Sequence, residues 1–104
     1  MSEASTLTGK QKSYLRSLGM TLDAIVQIGK GGVTKAIIAS ANDAVTAREL
    51  IKVKVLQNSP LEPVDAFNAL GKGLRAEVVH VIGRNGLIYR PHPDKPVIIL
   101  PEVK

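Results

Sequence analysis

The 104-residue sequence has no cysteine, no tryptophan and no long apolar segment. Without cysteine the chain can form no disulfide, thiolate metal site, cysteine nucleophile or CxxC redox pair. Its longest unbroken apolar runs, at 36–39 and 97–100, have four residues, whereas a membrane-spanning helix needs about 20. Residues 1–7 also lack the basic and apolar regions of a secretory signal. We therefore expect a soluble cytoplasmic protein.

Aromatic residues are scarce, because Tyr14, Phe67 and Tyr89 are the only ones in the chain. Proteins that hold single-stranded nucleic acid by stacking its bases need several exposed rings. At least some of these three side chains are needed in the core. The composition therefore disfavours a sheet that binds RNA through aromatic stacking.

Positive charge is in excess, with 14 Lys and Arg against 9 Asp and Glu and a net charge of +5. Such an excess favours an anionic partner, with nucleic acid the first candidate and an acidic membrane surface the second. A net charge of this size is also ordinary for a small domain that needs only to stay soluble. Composition alone leaves these alternatives open.

The order of secondary structure follows from capping residues and apolar periodicity. Thr8 and Gln11 form a capping-box pattern before a first helix that ends near Gly19. Residues 25–28 predict a short strand, and Thr34 is placed to cap a second helix that reaches about residue 50. Residues 50–56 alternate with period two, so Lys52 and Lys54 should share one face of a strand.

The second half of the chain predicts a third helix and two or three strands. Ser59 and Glu62 suggest another capping box, followed by a buried stripe of Val64, Phe67, Leu70 and Leu74. Residues 76–82 and 87–90 predict strands joined by a hairpin at Asn85-Gly86, and 97–100 could add an edge strand. The order α-β-α-β-α-β-β indicates an α/β fold with a small mixed sheet of four strands. We expect one domain at 7–101 between tails at 1–6 and 102–104.

The loop Gly29-Lys30-Gly31-Gly32 is the most informative motif in the chain. It lies between a predicted strand and the start of a helix, where glycine lets consecutive backbone N–H groups approach a ligand. The positive end of the helix dipole and Lys30 both favour a bound phosphate, as in the Gly-x-x-Gly loop of KH domains. The alternative is that a tight turn simply needs glycine.

Other motifs favour structural explanations. Residues 83–86 repeat Gly-x-x-Gly, but a hairpin accounts for that pattern, although from such a turn Arg84 could still reach a phosphate. Residues 71–76 match a loose dinucleotide pattern in the wrong context, after a helix and before a strand. His80 and His92 are too far apart to form a recognised zinc pattern without cysteine, and the carboxylates are scattered. The sequence therefore gives little support for an enzyme or a metal site.

Basic residues are spread over several predicted elements, and each alone is more typical of a solvated surface charge. Together on one face they would attract phosphates with an affinity that depends on salt. The candidate RNA-binding side chains, besides the glycine loop, are Lys10, Lys12, Arg16, Lys30, Lys52, Lys54, Arg84 and Arg90.

Several segments carry a family resemblance, in a fixed order along the chain. They are residues 7–12, 14–16, 26–32, 49–55, 81–83, 87–91 and 99–101. Together they closely resemble the YhbY-like proteins, which are single-domain bacterial members of the CRM group (chloroplast RNA splicing and ribosome maturation). The resemblance covers nearly the whole chain, but the hairpin at 84–86 and the region 61–75 depart from the common family pattern.

The resemblance implies an RNA-binding domain whose fold is similar to the C-terminal domain of translation initiation factor three. Members of this family associate with precursors of the large ribosomal subunit. The family's Gly-x-x-Gly loop corresponds to residues 29–32, and its basic first helix to Lys10, Lys12 and Arg16. The leading hypothesis is a non-catalytic, monomeric factor that binds ribosomal RNA without cofactor or membrane. The alternative is a module that docks on a ribosomal protein or assembly factor.

Overall fold

The computed structural model describes residues 7–101, so the predicted tails at 1–6 and 102–104 lie outside the described residues. The helices are α1 (Gly9–Gly19), α2 (Lys35–Arg48) and α3 (Pro63–Leu74). The strands are β1 (Ala24–Ile28), β2 (Leu50–Val55), β3 (Glu77–Ile82) and β4 (Asn85–Tyr89). The predicted α/β class and the order of elements are confirmed.

The strands form one mixed sheet in the order β1-β2-β4-β3. The crossover through α2 makes β1 and β2 parallel, whereas β4 runs antiparallel to both of its neighbours. Lys54 pairs with Gln27 on one side and with Asn85 on the other. The β1–α2 loop, the β2–α3 loop and the β3–β4 turn therefore lie along the same edge of the sheet.

The two faces of the sheet are covered unequally. Helices α2 and α3 pack on one face, where the inward residues of β2, Ile51, Val53 and Val55, join a core that includes Phe67. The opposite face has a smaller core, formed by Leu15, Leu50, Val79, Leu87 and Tyr89. Helix α1 and the segment 90–101 lie over this smaller core. Lys52 and Lys54 both lie on this second face, on the side of the sheet that α1 covers, and the period-two pattern predicts that they share a face.

The first two helices begin where their capping residues predict. Thr8 Oγ1 accepts the Gln11 N–H at 3.1 Å, and the Gln11 side chain accepts the Thr8 N–H at 3.1 Å. Thr34 Oγ1 accepts the Ile37 N–H at 3.1 Å. These side chains satisfy N–H groups that have no partner inside the first turn of a helix.

The predicted start of α3 is wrong. The helix begins at Pro63, and its N-cap Glu62 makes no side-chain cap. A proline disfavours helical backbone in the preceding residue, and Glu62 is accordingly extended, with ψ of 153°. Ser59 instead closes a local turn with Leu61. The predicted burial of Val64 is also wrong: its side chain is 55% exposed, because the helix turns Ala66, Phe67 and Leu70 towards the sheet.

The hairpin turn lies two residues earlier than the predicted Asn85-Gly86 turn. Gly83 and Arg84 form the turn, Gly83 has φ of 57°, and Ile82 pairs with Asn85. Glycine in the first of two turn positions is the pattern of type II′ hairpins. Gly86 belongs to β4, where an added Cβ would lie 2.9 Å from the Phe67 ring. The second glycine therefore makes room for the core and takes no part in the turn.

The segment 90–101 forms no edge strand, so the strand considered for 97–100 is absent from the described structure. The Glu49 carboxylate accepts the N–H groups of Val97 and Ile98, which a neighbouring strand would otherwise bind. Ile98 and Leu100 pack on the smaller core. The segment reaches α1, where the Gln11 amide donates to the Pro101 carbonyl at 3.1 Å. Between residues 7 and 101, no helix has the length and apolar character that crossing a membrane requires.

Candidate nucleic-acid interface

A groove of about 490 Å³ lies between α1 and the part of the sheet that α1 leaves uncovered. The residues that line it come from α1, from Met20 directly after this helix, and from three of the strands. They are Ser13, Arg16, Ser17, Gly19, Met20, Lys52, His80, Ile82, Asn85, Gly86 and Leu87. Two of the predicted RNA-binding residues, Arg16 and Lys52, are thus brought together from distant parts of the chain.

The groove carries positive charge without a counter-charge. No Asp or Glu is among its lining residues. The side chains of Arg16 and Lys52 also have no hydrogen-bond or ion-pair partner within residues 7–101. Two cations without an acidic neighbour produce a local positive potential that attracts phosphate.

Three further predicted lysines lie on the elements that form this groove. Lys12 is one turn before Arg16 on α1, and Lys10 is exposed at the start of the same helix. Lys54 is exposed two residues after Lys52 on the same face of β2. The positive surface therefore extends from α1 across the groove to the edge of the sheet where the glycine loop begins.

The glycine loop at 29–32 closes as a tight turn. The Gly32 N–H donates to the Gly29 carbonyl at 2.9 Å, and Gly32 has φ of 72°. An added Cβ at Gly32 would also contact Pro60 at 3.4 Å. The Gly32 amide, which the sequence suggests as a phosphate ligand, is therefore used inside the loop. At this position the turn explanation for glycine is sufficient.

Other donors of the loop remain available. The amides of Gly31 and Val33 have no acceptor within residues 7–101, and the side chain of Lys30 is exposed. Helix α2 starts just beyond them, after Thr34, with the positive end of its dipole towards the loop. Lys54 of β2 pairs with Gln27 of β1, which is only two residues before Gly29. The glycine loop therefore begins close to the end of β2 that carries Lys54.

Arg84 is engaged within the protein. Its Nε and Nη2 donate to the carbonyls of Val55 and Leu56, each at 2.8 Å, while the Val55 N–H donates to the Arg84 carbonyl at 2.8 Å. These bonds fasten the hairpin turn to the end of β2. A bidentate backbone contact of this kind is not visible in the sequence, because it joins residues about thirty positions apart.

Arg90 lies away from the groove. Its guanidinium donates to the Leu74 carbonyl at 2.7 Å, to Asn42 Oδ1 at 2.9 Å and to Thr46 Oγ1 at 2.7 Å. It thereby joins the C-terminal end of α3 to α2, on the opposite face of the sheet. The structure does not bring Arg90 together with the other predicted RNA-binding residues.

Glu49 is a buried structural carboxylate that no sequence pattern indicates. It is 1% exposed, and it accepts N–H groups from His92 at 2.8 Å, Val97 at 2.9 Å and Ile98 at 2.6 Å. Burial raises the pKa of Glu49, but the three N–H donors and the nearby His92 outweigh it and hold this pKa below its ordinary value. The carboxylate therefore anchors the segment 90–101.

The two histidines have different surroundings. His80 is half-buried and lines the groove. His92 accepts the N–H groups of Asp94 and Lys95 on Nδ1, at 3.1 and 3.0 Å, and so closes a turn in the C-terminal segment. Across residues 7–101, no three His, Asp or Glu side chains are grouped so that they could hold a metal ion.

Comparisons with known proteins agree with the fold and with an RNA-related family. The “Probable RNA-binding protein YqeI” of Bacillus subtilis is 45% identical and aligns with 91% of this chain and 99% of its own. An RNA-binding protein of Haemophilus influenzae is 34% identical over 86% of this chain and 90% of its own. The solution structure of a Staphylococcus aureus protein has a TM-score of 0.77 and 46% identity, covering 91% of this chain and 99% of that one. The model of the CRS1 / YhbY (CRM) domain matches residues 7–90, and the chain therefore belongs to this family.

Proposed function

We propose that this protein is a non-catalytic RNA-binding factor that associates with ribosomal RNA of large-subunit precursors. It holds RNA backbone on a surface formed by Lys12 and Arg16 of α1, Lys52 and Lys54 of β2, and the loop at 29–32. Contacts of this kind fix position without reading bases, so RNA shape governs most of the recognition. Its location in the cytoplasm stays a prediction.

The observation that carries this proposal is the convergence of Arg16 and Lys52 on one groove without a carboxylate or another partner. Cations that serve only solubility need no common location, and many surface cations lie near acidic side chains. The charge of Lys54 and the unbonded amides of Gly31 and Val33 extend this arrangement towards α2. The names of the relatives from Bacillus subtilis and Haemophilus influenzae support RNA as the partner.

Charge reversal tests the proposed surface. Lys30→Glu and Lys54→Glu should each weaken binding to structured ribosomal RNA by about tenfold, because a phosphate contact is replaced by repulsion. Lys72→Glu makes the same change of charge at an exposed position in the last turn of α3, outside the surface. Binding is measured by filter retention, with circular dichroism as the control for folding. Equal effects of all three variants would contradict the proposed location.

The ribosomal partner needs a test in cells. The tagged protein should sediment with large-subunit precursors, and RNA cross-linked to it should map to their ribosomal RNA. The Lys54→Glu variant should lose this association, whereas Lys72→Glu should keep it. If both variants still sediment with precursors and no RNA is cross-linked, docking on a ribosomal protein or assembly factor becomes the better explanation.

A further inference from the structure

We propose that the groove between α1 and the sheet holds one unpaired nucleobase of the bound RNA. This inference rests on the proposed RNA-binding function and assigns a separate task to the groove. The surrounding lysines hold the backbone, while the groove accepts a base that has left the helical stack.

The shape of the groove suits a flat, partly apolar ligand. Met20 on the helix side and Ile82 on the sheet side are 80% and 66% exposed, although both are large apolar side chains. Gly86 adds no side chain to this face, because the Cβ position of residue 86 is directed to the opposite face, towards Phe67. A volume of about 490 Å³ lies within the range of about 300–1,000 Å³ that is typical of small-molecule pockets. A single nucleobase with its sugar is an occupant of that size.

The polar groups of the groove match the edge of a base. The side chains of His80 and Asn85 line the groove and have no hydrogen-bond partner within residues 7–101. An amide offers both donors and an acceptor, and an imidazole offers one of each when neutral. Arg16 and Lys52, beside them, supply positive charge for the adjoining phosphates. An inorganic anion alone would leave Met20, Ile82 and Asn85 without a role.

The base must be unpaired to enter. In double-stranded RNA the bases are paired and stacked, and proteins recognise such helices mainly by shape, whereas unpaired bases offer their edges and faces. The groove is bounded by α1 on one side. A base therefore reaches the floor of the groove only when it projects from the RNA helix. The usual platform for such a base is an aromatic ring, and none lines this groove. Contact with Met20, Ile82 and the Gly86 backbone replaces it, since a thioether packs well against aromatic rings.

A pair of hairpin RNAs tests the proposal. They share one stem, and one of them carries a single unpaired nucleotide as a bulge. The wild-type protein should bind the bulged RNA about tenfold more tightly, which corresponds to one well-held base. The double variant Met20→Ala/Asn85→Ala should lose this preference and still bind the stem. Val97→Ala, which truncates an equally exposed apolar residue outside the groove, should keep the preference.

The outcomes separate this proposal from the function on which it rests. Binding of the two RNAs with equal affinity by the wild-type protein overturns the base site and leaves RNA binding intact. Binding of neither RNA overturns both. A second measurement compares adenosine monophosphate with ribose 5-phosphate by NMR of the His80 imidazole and the Asn85 amide. Shifts with the nucleotide alone support the base site, whereas equal shifts with both compounds reduce the groove to an anion site.

Discussion

Glu49 occupies a position where the backbone conformation favours glycine, whereas the side-chain hydrogen bonds require a carboxylate. Its φ of 67° lies in the left-handed region, which at the end of a helix is usually filled by glycine. Glycine, however, would offer no acceptor to the N–H groups of His92, Val97 and Ile98. The hydrogen bonds to the C-terminal segment explain why a carboxylate is buried at this helix end.

The substitution Glu49→Gln should lower the free energy of unfolding by about 2 kcal/mol at pH 7. The NH2 group of glutamine would face a backbone N–H, so a hydrogen-bond donor would meet another donor in a buried place. Since folding lowers the pKa of Glu49 from its ordinary 4.5, the wild-type carboxylate stabilises the fold fully above that value and loses its advantage as the pH falls through the folded pKa. Urea denaturation at pH 7 and pH 3 should therefore show a difference between the proteins that shrinks in acid. Asp43→Asn, on an exposed position of α2, is the control. A difference independent of pH would contradict this role of the charge.

The site residues differ in how well sequence predicts them. Lys52 and Lys54 follow from local alternation, because period two assigns neighbouring residues to opposite faces of a strand. Arg84 and Glu49 depend on bonds to residues more than 25 positions away, which no local pattern reports. His80 lines the groove because β3 has an irregular register between Val78 and His80, and such an irregularity is invisible in composition.

Helices α2 and α3 are joined by the side chain of Arg90. It crosses between them and binds the Leu74 carbonyl, which has no partner within its own helix because it lies in the last turn. The same guanidinium binds Asn42 and Thr46 on α2. Arg90 therefore positions two helices, and we expect it to contribute to the fold and not to RNA binding.

The variant Arg90→Met should separate the two roles. It keeps much of the apolar length of the side chain and removes every hydrogen bond, so the free energy of unfolding should fall by about 2 kcal/mol. The affinity for RNA of the folded protein should stay unchanged. Urea denaturation and filter binding on the same preparation provide both values. Weaker RNA binding with unchanged stability would restore Arg90 to the RNA-binding surface.

Sequence predicts the helices and strands well where the signal is local, and poorly where neighbouring residues compete. Thr8 and Thr34 each cap a helix, because an N-cap needs only residues within one turn. Sequence misplaces the start of α3 because Pro63 restricts Glu62 and so overrides the apparent capping box at Ser59. The hairpin turn lies at Gly83 and not at the predicted Gly86, because Gly86 is needed within β4, where only glycine leaves room for the Phe67 ring. This contact joins distant elements, so no local pattern reports it.

One face of the sheet is wholly part of a hydrophobic core, whereas the other is part core and part charged surface. Helices α2 and α3 cover the first face. Helix α1 and the segment 90–101 cover only part of the second, and the uncovered part contains Lys52 and Lys54. The net charge of +5 is therefore less informative than the placement of these cations on one side of one sheet.

The dependence of RNA affinity on salt tests this placement, because each phosphate contact contributes about one unit to the slope of log K against log salt. The double variant Arg16→Gln/Lys54→Gln should make that slope about two units less steep. Lys72→Gln/Lys95→Gln removes the same amount of charge from exposed positions outside the surface and should leave the slope unchanged. Equal slopes for the two variants would mean that total charge, and not this surface, governs binding. A wild-type affinity that is independent of salt would contradict phosphate contacts altogether and favour a protein partner.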